Sequence, residues 1–167
     1  SFIIIVATIL MFSLFLFAVF RFYNAHKRQL ELIAYRDPLT GGLNNAAFQA
    51  RYRELSKNMT PCTYSIVLLN VRGFKMVNEQ FGIRIGNQIL SYIYKVLKQH
   101  LREEQDEFAA RGESDHFFLC LTECSPGAIQ YRLNDMIHDI NNFHDTELPD
   151  LSLSFKQGAC LADDPYQ

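Results

Sequence analysis

The chain has 167 residues, enough for one domain and a short appendage. Its 16 lysines and arginines against 18 aspartates and glutamates give a formal net charge of −2, so no basic surface argues for nucleic-acid binding. The cysteines show no metal-ligand spacing, and we expect all four to be reduced thiols in a cytosolic domain: Cys62, Cys120, Cys124 and Cys160.

An apolar segment opens the chain. Residues 2–20 contain no charge, and Thr8 and Ser13 are their only polar members. About twenty apolar residues in a helix span a hydrocarbon core of about 30 Å. A cleaved signal peptide is the alternative, but its apolar region is shorter and ends at small residues, whereas Arg21 follows here. We therefore expect a transmembrane helix over residues 1–23.

Basic residues follow this segment, namely Arg21, Lys27 and Arg28. Positive charge marks the cytoplasmic flank of a membrane span. We therefore expect the rest of the chain in the cytoplasm, anchored to the inner or plasma membrane by this single visible span. The chain begins with Ser1 rather than Met, so we also expect further sequence upstream.

Residues 24–36 are expected to continue as a juxtamembrane signalling helix. Leu30, Ile33 and Ala34 form a narrow apolar seam along it. This seam fits either a parallel coiled coil, which would make the protein a homodimer, or a plain linker helix, and the pattern does not separate the two.

Beyond residue 36 the chain alternates between helical and strand patterns. Pro38 with Gly41 and Gly42 ends the first helix, and Asn45 is the expected N-cap of the next. Apolar side chains at helical spacing predict helices over residues 46–57, 85–101 and 126–143, with a turn and a short helical piece over 72–82. Apolar runs predict a buried strand over 64–71 and a β-hairpin of 108–110 and 117–121 with a polar tip. A loop is expected over 148–150, and the alternation that follows predicts a strand over 151–161 with one face exposed to solvent.

From residue 64 the predicted order is β-α-β-β-α-β. This is an α+β, ferredoxin-like palm, with an antiparallel sheet and helices on one face. It places Asn70 and Val71, at the end of the first strand, beside the hairpin tip, because those strands are neighbours in the sheet. Palm-type nucleotidyl enzymes gather acidic residues around Mg²⁺ and a triphosphate in this way.

Five short motifs follow one another along this predicted domain. They read DPLTGGLNNAAF at residues 37–48, NVRGFK at 70–75, VNE at 77–79, GIRIGN at 82–87 and RGESDHF at 111–117. They resemble DPLTGLxNRxxF, DxDxFK, IND, GHxxGD and RxGGDEF of the GGDEF domain family, the diguanylate cyclases that condense two GTP molecules into cyclic di-GMP. The resemblance implies a GGDEF domain over residues 37–167, with a final helix expected beyond Gln167.

The departures from the family pattern fall on its metal site and its signature. The resemblance implies Mg²⁺ ligands at Asn70, Val71 and Asp115, but Asn70 replaces an aspartate, so Mg²⁺ binding is expected to be weakened. Glu113 and Ser114 replace two glycines that let the backbone approach the nucleotide, and a carboxylate there repels a triphosphate. The residues that occupy the catalytic signature are Glu113, Ser114, Asp115, which is vestigial, and His116, which replaces an acid.

The implied nucleotide contacts are partly kept. Lys75, a phosphate contact in the family, and Asn78, a guanine contact, are present, whereas Asn87 replaces the aspartate that assists Asn78. The family's inhibitory product site, an RxxD motif, is replaced by Glu104 and Glu107, so we expect that site to be absent.

Together these departures predict a degenerate, catalytically silent GGDEF domain that regulates a partner. The resemblance suggests a cyclic di-GMP phosphodiesterase (EAL) domain in the same or another chain, with weak binding of GTP or cyclic di-GMP. The alternatives are a divergent, active diguanylate cyclase and a dimerisation scaffold that binds no ligand.

Overall fold

The computed structural model describes residues 2–60, 62–142 and 151–162. The chain divides into two compact units, and the boundary lies between Tyr35 and Arg36. The first unit is a single helix, α1 (Phe2–Tyr35), in which the predicted segments 1–23 and 24–36 are continuous. Its most apolar 18-residue window has a mean hydropathy of 2.9, so α1 is long and apolar enough to cross a membrane. At about 1.5 Å per residue α1 measures about 50 Å, which exceeds a hydrocarbon core of about 30 Å.

The second unit contains a five-stranded sheet and four helices in its described residues. In chain order its elements are β1 (Leu43–Asn44), α2 (Asn45–Ser56), β2 (Ser65–Val71), α3 (Phe74–Phe81), α4 (Ile83–Gln99), a 3₁₀ turn (Glu103–Gln105), β3 (Phe108–Arg111), β4 (His116–Leu121), α5 (Pro126–Asn141) and β5 (Phe155–Leu161).

The strands lie in the order β1-β3-β4-β2-β5. Strand β2 is central and pairs antiparallel with β4 and β5, while β3 pairs antiparallel with β4. From β2 to β5 the predicted β-α-β-β-α-β order is confirmed, and with it the α+β ferredoxin-like fold. Strand β1, which the sequence did not predict, adds a short parallel strand beside β3.

Helices α4 and α5 share one face of the sheet, as predicted for the part of the chain from β2 to β5, and α2, which precedes that part, covers the other face. One face is packed by α4 and α5, whose Ile93, Leu97, Leu133 and Met136 join the core with Val67 and Leu69 of β2. Helix α2 packs on the other face, where the Phe48 ring lies tilted against two others, with centroids 5.0 Å from Phe108 and 5.5 Å from Phe118. The reason is that β3 and β4 carry apolar side chains on both faces, and each face must be buried.

Two local predictions also need correction. The N-cap of α2 is Asn44 and not Asn45, because the extended backbone of Asn44 lets its Oδ1 accept the N–H of Ala47 at 2.9 Å. Strand β5 begins at Phe155 and not at residue 151, since the ladder with β2 begins at that residue. Residues 151–154 keep the predicted inward alternation without pairing as a strand. The remaining boundaries agree within two residues, while the predicted helix end at 143 and the loop at 148–150 lie outside the described residues.

Candidate functional site

The β3–β4 hairpin presents its polar tip as a closed turn over residues 112–115. The backbone N–H of Gly112 donates to the carbonyl of His116 at 2.8 Å, and the N–H of His116 donates to the carbonyl of Glu113 at 3.2 Å. Ser114 has a φ of 56°, in the left-handed region that favours glycine. Glu113 and Ser114 are both exposed. The tip therefore keeps the backbone geometry of a glycine turn while presenting two side chains to solvent.

The end of β2 lies beside this tip, as predicted. Asn70 is directly opposite His116 in the ladder, and its Nδ2 lies 2.8 Å from Nε2 of that imidazole. His116 Nδ1 lies 2.9 Å from the carbonyl of Glu113, which can only accept, so Nδ1 carries the proton and donates it. Nε2 is then the acceptor for the Asn70 amide, and a neutral imidazole satisfies both contacts. The side chains at one predicted metal position and one predicted catalytic position are therefore bonded to each other.

Val71 and Asp115 complete this cluster. Val71 is buried, and its backbone N–H donates to the carbonyl of Asp115 at 3.3 Å, which ties the tip to β2. The Asp115 side chain is 14% exposed, and its Oδ1 lies 3.9 Å from His116 Nδ1. Within the described residues, no group of three or more His, Cys, Asp or Glu side chains could hold a metal ion. The donor set around Asn70 fits Mg²⁺ poorly, because it offers one carboxylate and the neutral oxygen of an amide.

The predicted nucleotide contacts lie on α3 and at the start of α4. The Lys75 side chain is 89% exposed, with Nζ 3.7 Å from the carboxylate of Glu79, and Asn87 is also exposed. Asn78 differs, because its Oδ1 is buried and has no hydrogen-bond partner among the described residues. It lies against Gly86, where any side chain would overlap that oxygen. A buried acceptor without a partner is energetically costly, and its close packing against Gly86 explains why position 86 requires glycine.

An ion pair that the sequence did not reveal supports the tip from the other side. Asp37 is buried, and its Oδ1 accepts from Arg111 Nη1 at 2.7 Å, while its Oδ2 accepts from the backbone and hydroxyl of Thr40 at 2.8 Å each. Arg111 Nη2 donates to the carbonyl of Ser114 at 2.5 Å. The loop that follows α1 is thereby connected through two hydrogen-bonded residues to the hairpin tip. Both residues stand in recognised motifs, but their 74-residue separation hides the contact from sequence patterns.

Glu107, one of the two positions of the replaced inhibitory motif, is a structural residue here. It is fully buried and accepts from Arg132 Nη1 at 2.6 Å and from the backbone N–H of Arg102 at 2.7 Å and of Thr122 at 2.9 Å. Burial by itself would raise the pKa of Glu107, but the hydrogen bonds from Arg132 and the two backbone groups outweigh it and lower the pKa to about 2. Arg132 also donates to Glu123 at 2.6 Å, so its ion pairs join α5 to the residue before β3 and to the loop after β4.

Comparison with known proteins agrees with this geometry. A family model described as "Diguanylate cyclase, GGDEF domain" matches residues 34–167. The chain is 29% identical over 119 residues to the probable diguanylate cyclase DgcE of Escherichia coli, an alignment that covers 70% of this chain and 11% of that relative. The chain thus spans a small part of the length of this curated relative.

Solved structures show the same fold. The coiled coil and GGDEF domain of DgcB from Caulobacter crescentus, in complex with c-di-GMP, aligns with a TM-score of 0.72 at 19% identity, covering 88% of this chain and 79% of that one. The S helix-GGDEF-EAL region of LapD from Vibrio cholerae, bound to c-di-GMP, aligns with a TM-score of 0.65 at 16% identity, covering 84% of this chain and 32% of that one. From its family match and its fold, the chain belongs to the GGDEF domain family of cyclic di-GMP signalling.

Proposed function

We propose that this protein is a membrane-anchored, degenerate GGDEF domain that makes no cyclic di-GMP and acts as a regulatory module in cyclic di-GMP signalling. The observation that carries the proposal is the hydrogen bond between Asn70 and His116 at the position where the family holds a metal. An asparagine supplies no negative charge, and its amide is directed at an imidazole. In-line phosphoryl transfer depends on metal ions at that place, so the chemistry lacks its main electrostatic support.

The hairpin tip supports the same conclusion from the nucleotide side. Glu113 and Ser114 add a negative charge and two side chains where the family has bare backbone. Any Mg²⁺ bound here would depend on Asp115 and on the nucleotide's own phosphates. Weak binding of GTP or cyclic di-GMP remains part of the proposal, because two positions that contact the nucleotide in the family, Lys75 and Asn78, keep their residue types and the Lys75 side chain is 89% exposed.

The output of such a domain is proposed to pass to an EAL phosphodiesterase domain in the same or another chain. LapD of Vibrio cholerae, whose solved region joins GGDEF and EAL, supports this pairing by its shared fold. The regulatory signal is proposed to reach the domain through α1. The length and apolar composition of α1 suit a span of the inner or plasma membrane, and the domain is proposed to lie in the cytoplasm. A homodimer in which α1 pairs with its copy is also part of the proposal, and the apolar seam at Leu30, Ile33 and Ala34 is the surface along which the two helices would meet.

A product assay tests the proposal. The protein is purified in non-ionic detergent and incubated with GTP and Mg²⁺, and cyclic di-GMP is measured by chromatography. We expect no product above that of a control without protein. Steady product formation that disappears in Asp115→Ala would contradict the proposal and establish the alternative, a divergent active diguanylate cyclase.

A further inference from the structure

A cleft lies along β3 at the end opposite to the hairpin tip. Strand β1 pairs only with Ala110 and Arg111, so it leaves the edge of Phe108 and Ala109 without a neighbouring strand. A cavity of about 400 Å³ opens there between β3, α4 and the loop before β1. Its volume lies within the range of about 300–1,000 Å³ that is typical of ligand sites. The cleft shares no residue with the predicted catalytic, metal or substrate-nucleotide positions, and it borders the replaced inhibitory motif only at Glu107, whose carboxylate is bound by Arg132.

The walls of the cleft are basic, with side chains contributed by three separate parts of the fold: Arg36, Arg51, Lys95 and Lys98. Two of them are held in place by neutral groups. Arg36 Nη1 donates to the carbonyl of Gly41 at 3.1 Å, and the Arg51 guanidinium lies 4.7 Å from the ring centroid of Phe108. Neither contact consumes charge, so both guanidinium groups keep further N–H donors for a ligand.

The carboxylates that border the cleft do not cancel this charge. Glu107 is turned toward Arg132, which binds both of its oxygens. Glu103 is 65% exposed and lies 3.9 Å from Lys98 Nζ. In the part of the chain that the structure describes, no carboxylate lies within ion-pair distance of Arg36, Arg51 or Lys95. Three unmatched cations therefore surround one concave site on a chain whose net charge is −2.

We propose that this cleft binds a phosphate-bearing anion. Guanidinium groups pair with phosphate through parallel hydrogen bonds, and two lysines add point charges that suit a multiply charged group. The phosphate can belong to a soluble molecule or to a lipid headgroup, since both offer the same chemistry. The site is independent of the proposed function, because it requires neither GTP binding nor catalysis at the hairpin tip.

Calorimetric titration with pyrophosphate tests this site on the full chain in non-ionic detergent at low salt. We expect saturable binding that weakens as salt is raised. Arg51→Gln and Lys95→Gln should each weaken binding at least about fivefold, the loss expected for one partly exposed charge-assisted contact. Arg53→Gln is the matched control, because it removes the same charge from the same helix two positions away, outside the cleft. It should change the affinity less than about twofold.

Two further measurements complete the test. Glu103→Gln removes a competing carboxylate and should tighten pyrophosphate binding, a gain that a poorly folded variant cannot give. Micelles doped with phosphatidylglycerol identify the source of the phosphate. If they displace pyrophosphate, the ligand is a lipid headgroup; if they do not displace it, the ligand is a soluble molecule. The proposal is overturned if pyrophosphate does not bind, if Arg51→Gln and Arg53→Gln behave alike, or if Lys75→Gln abolishes binding while the cleft variants do not.

Discussion

A single exchange at the end of β2 illustrates how this domain differs chemically from its family. Asn70 stands where the resemblance expects a metal-binding aspartate, and His116 stands where it expects an acid. The structure shows that the two side chains are hydrogen-bonded, with Asn70 Nδ2 2.8 Å from His116 Nε2. This bond adds a side-chain link to the backbone pairing of β2 with β4 at the hairpin tip.

This contact leads to a prediction about nucleotide binding. Glu113→Gly with Ser114→Gly removes a charge near the phosphates and relieves the left-handed backbone of Ser114, so it should raise affinity for a non-hydrolysable GTP analogue about fivefold. Asn70→Asp should give a smaller gain, because the new carboxylate lies against the His116 imidazole, which competes with Mg²⁺ for it. Calorimetric titration with Mg²⁺ present compares the two variants.

The double variant Asn70→Asp with His116→Ala serves as the control, since it frees the carboxylate and should bind the analogue more tightly than Asn70→Asp alone. A larger gain from Asn70→Asp than from the two glycine substitutions would mean that missing metal charge, and not the crowded tip, is the main defect. Neither single change should restore catalysis, because each leaves the other defect in place.

Glu107 gives a second prediction at this scale, about acid stability. Its folded pKa of about 2 lies below the ordinary value of 4.5, so ionised Glu107 stabilises the fold above about pH 4.5. This contribution, about 3 kcal/mol, should be lost as the pH falls through the folded pKa. Glu107→Gln should lower the free energy of unfolding at neutral pH and flatten its decline between about pH 5 and pH 2.

Urea unfolding at several pH values measures this effect. Exposed Glu104→Gln is the control, and it should leave the curve within about 0.5 kcal/mol of the native chain. An unchanged pH dependence in Glu107→Gln would show that other carboxylates dominate the acid transition.

At the scale of elements, β1 depends on close packing against α4. The hydroxyl of Tyr94 accepts the N–H of Leu43 at 3.2 Å and donates to the carbonyl of Ala109 at 3.2 Å, so one side chain joins β1, α4 and β3. Gly42 lies against this ring, and a side chain there would overlap the ring carbons and the hydroxyl. Burial raises the pKa of Tyr94, in keeping with its enclosed position.

Gly42→Ala should therefore displace β1 and destabilise the domain by about 1–3 kcal/mol, the usual cost of overpacking. Gly127→Ala is the control, because a methyl group there meets nothing within 4 Å and a helical alanine is favourable. The free energies of unfolding of the two variants, measured in denaturant, are compared with that of the native chain. Equal stability would mean that the Tyr94 ring moves aside without cost.

At the scale of the whole molecule, α1 and the GGDEF domain are separate compact units. If α1 spans the membrane with Arg21, Lys27 and Arg28 on the cytoplasmic side, a reporter fused after Gln167 should show cytoplasmic behaviour. Alkaline phosphatase fused at that point should be inactive and a fluorescent protein bright. Replacing all three basic residues with glutamate should increase the fraction of inverted molecules. An active phosphatase on the native chain would contradict the orientation.

Much of the architecture could be predicted from the sequence, because a helix or strand with a buried face carries apolar residues at a regular spacing. The spacing of Ile89, Ile93 and Leu97 indicated α4, and the apolar runs around the polar tip indicated β3 and β4. Strand β1 was not predicted, because a strand of two residues is too short to show an alternation of apolar and polar side chains. The N-cap was displaced by one position because Asn44 and Asn45 have the same chemistry, and only the backbone conformation distinguishes them.

The sequence by itself determined the family, the order of elements from β2 to β5 and the identity of the residues that depart from the family pattern. All of these follow from local spacing and residue type. Only the tertiary structure decided that Asn70 binds His116, that Asp37 binds Arg111 and that α2 covers the second face of the sheet. These contacts join residues far apart along the chain, and strand register and helix packing bring them within bonding distance in ways that no local pattern encodes.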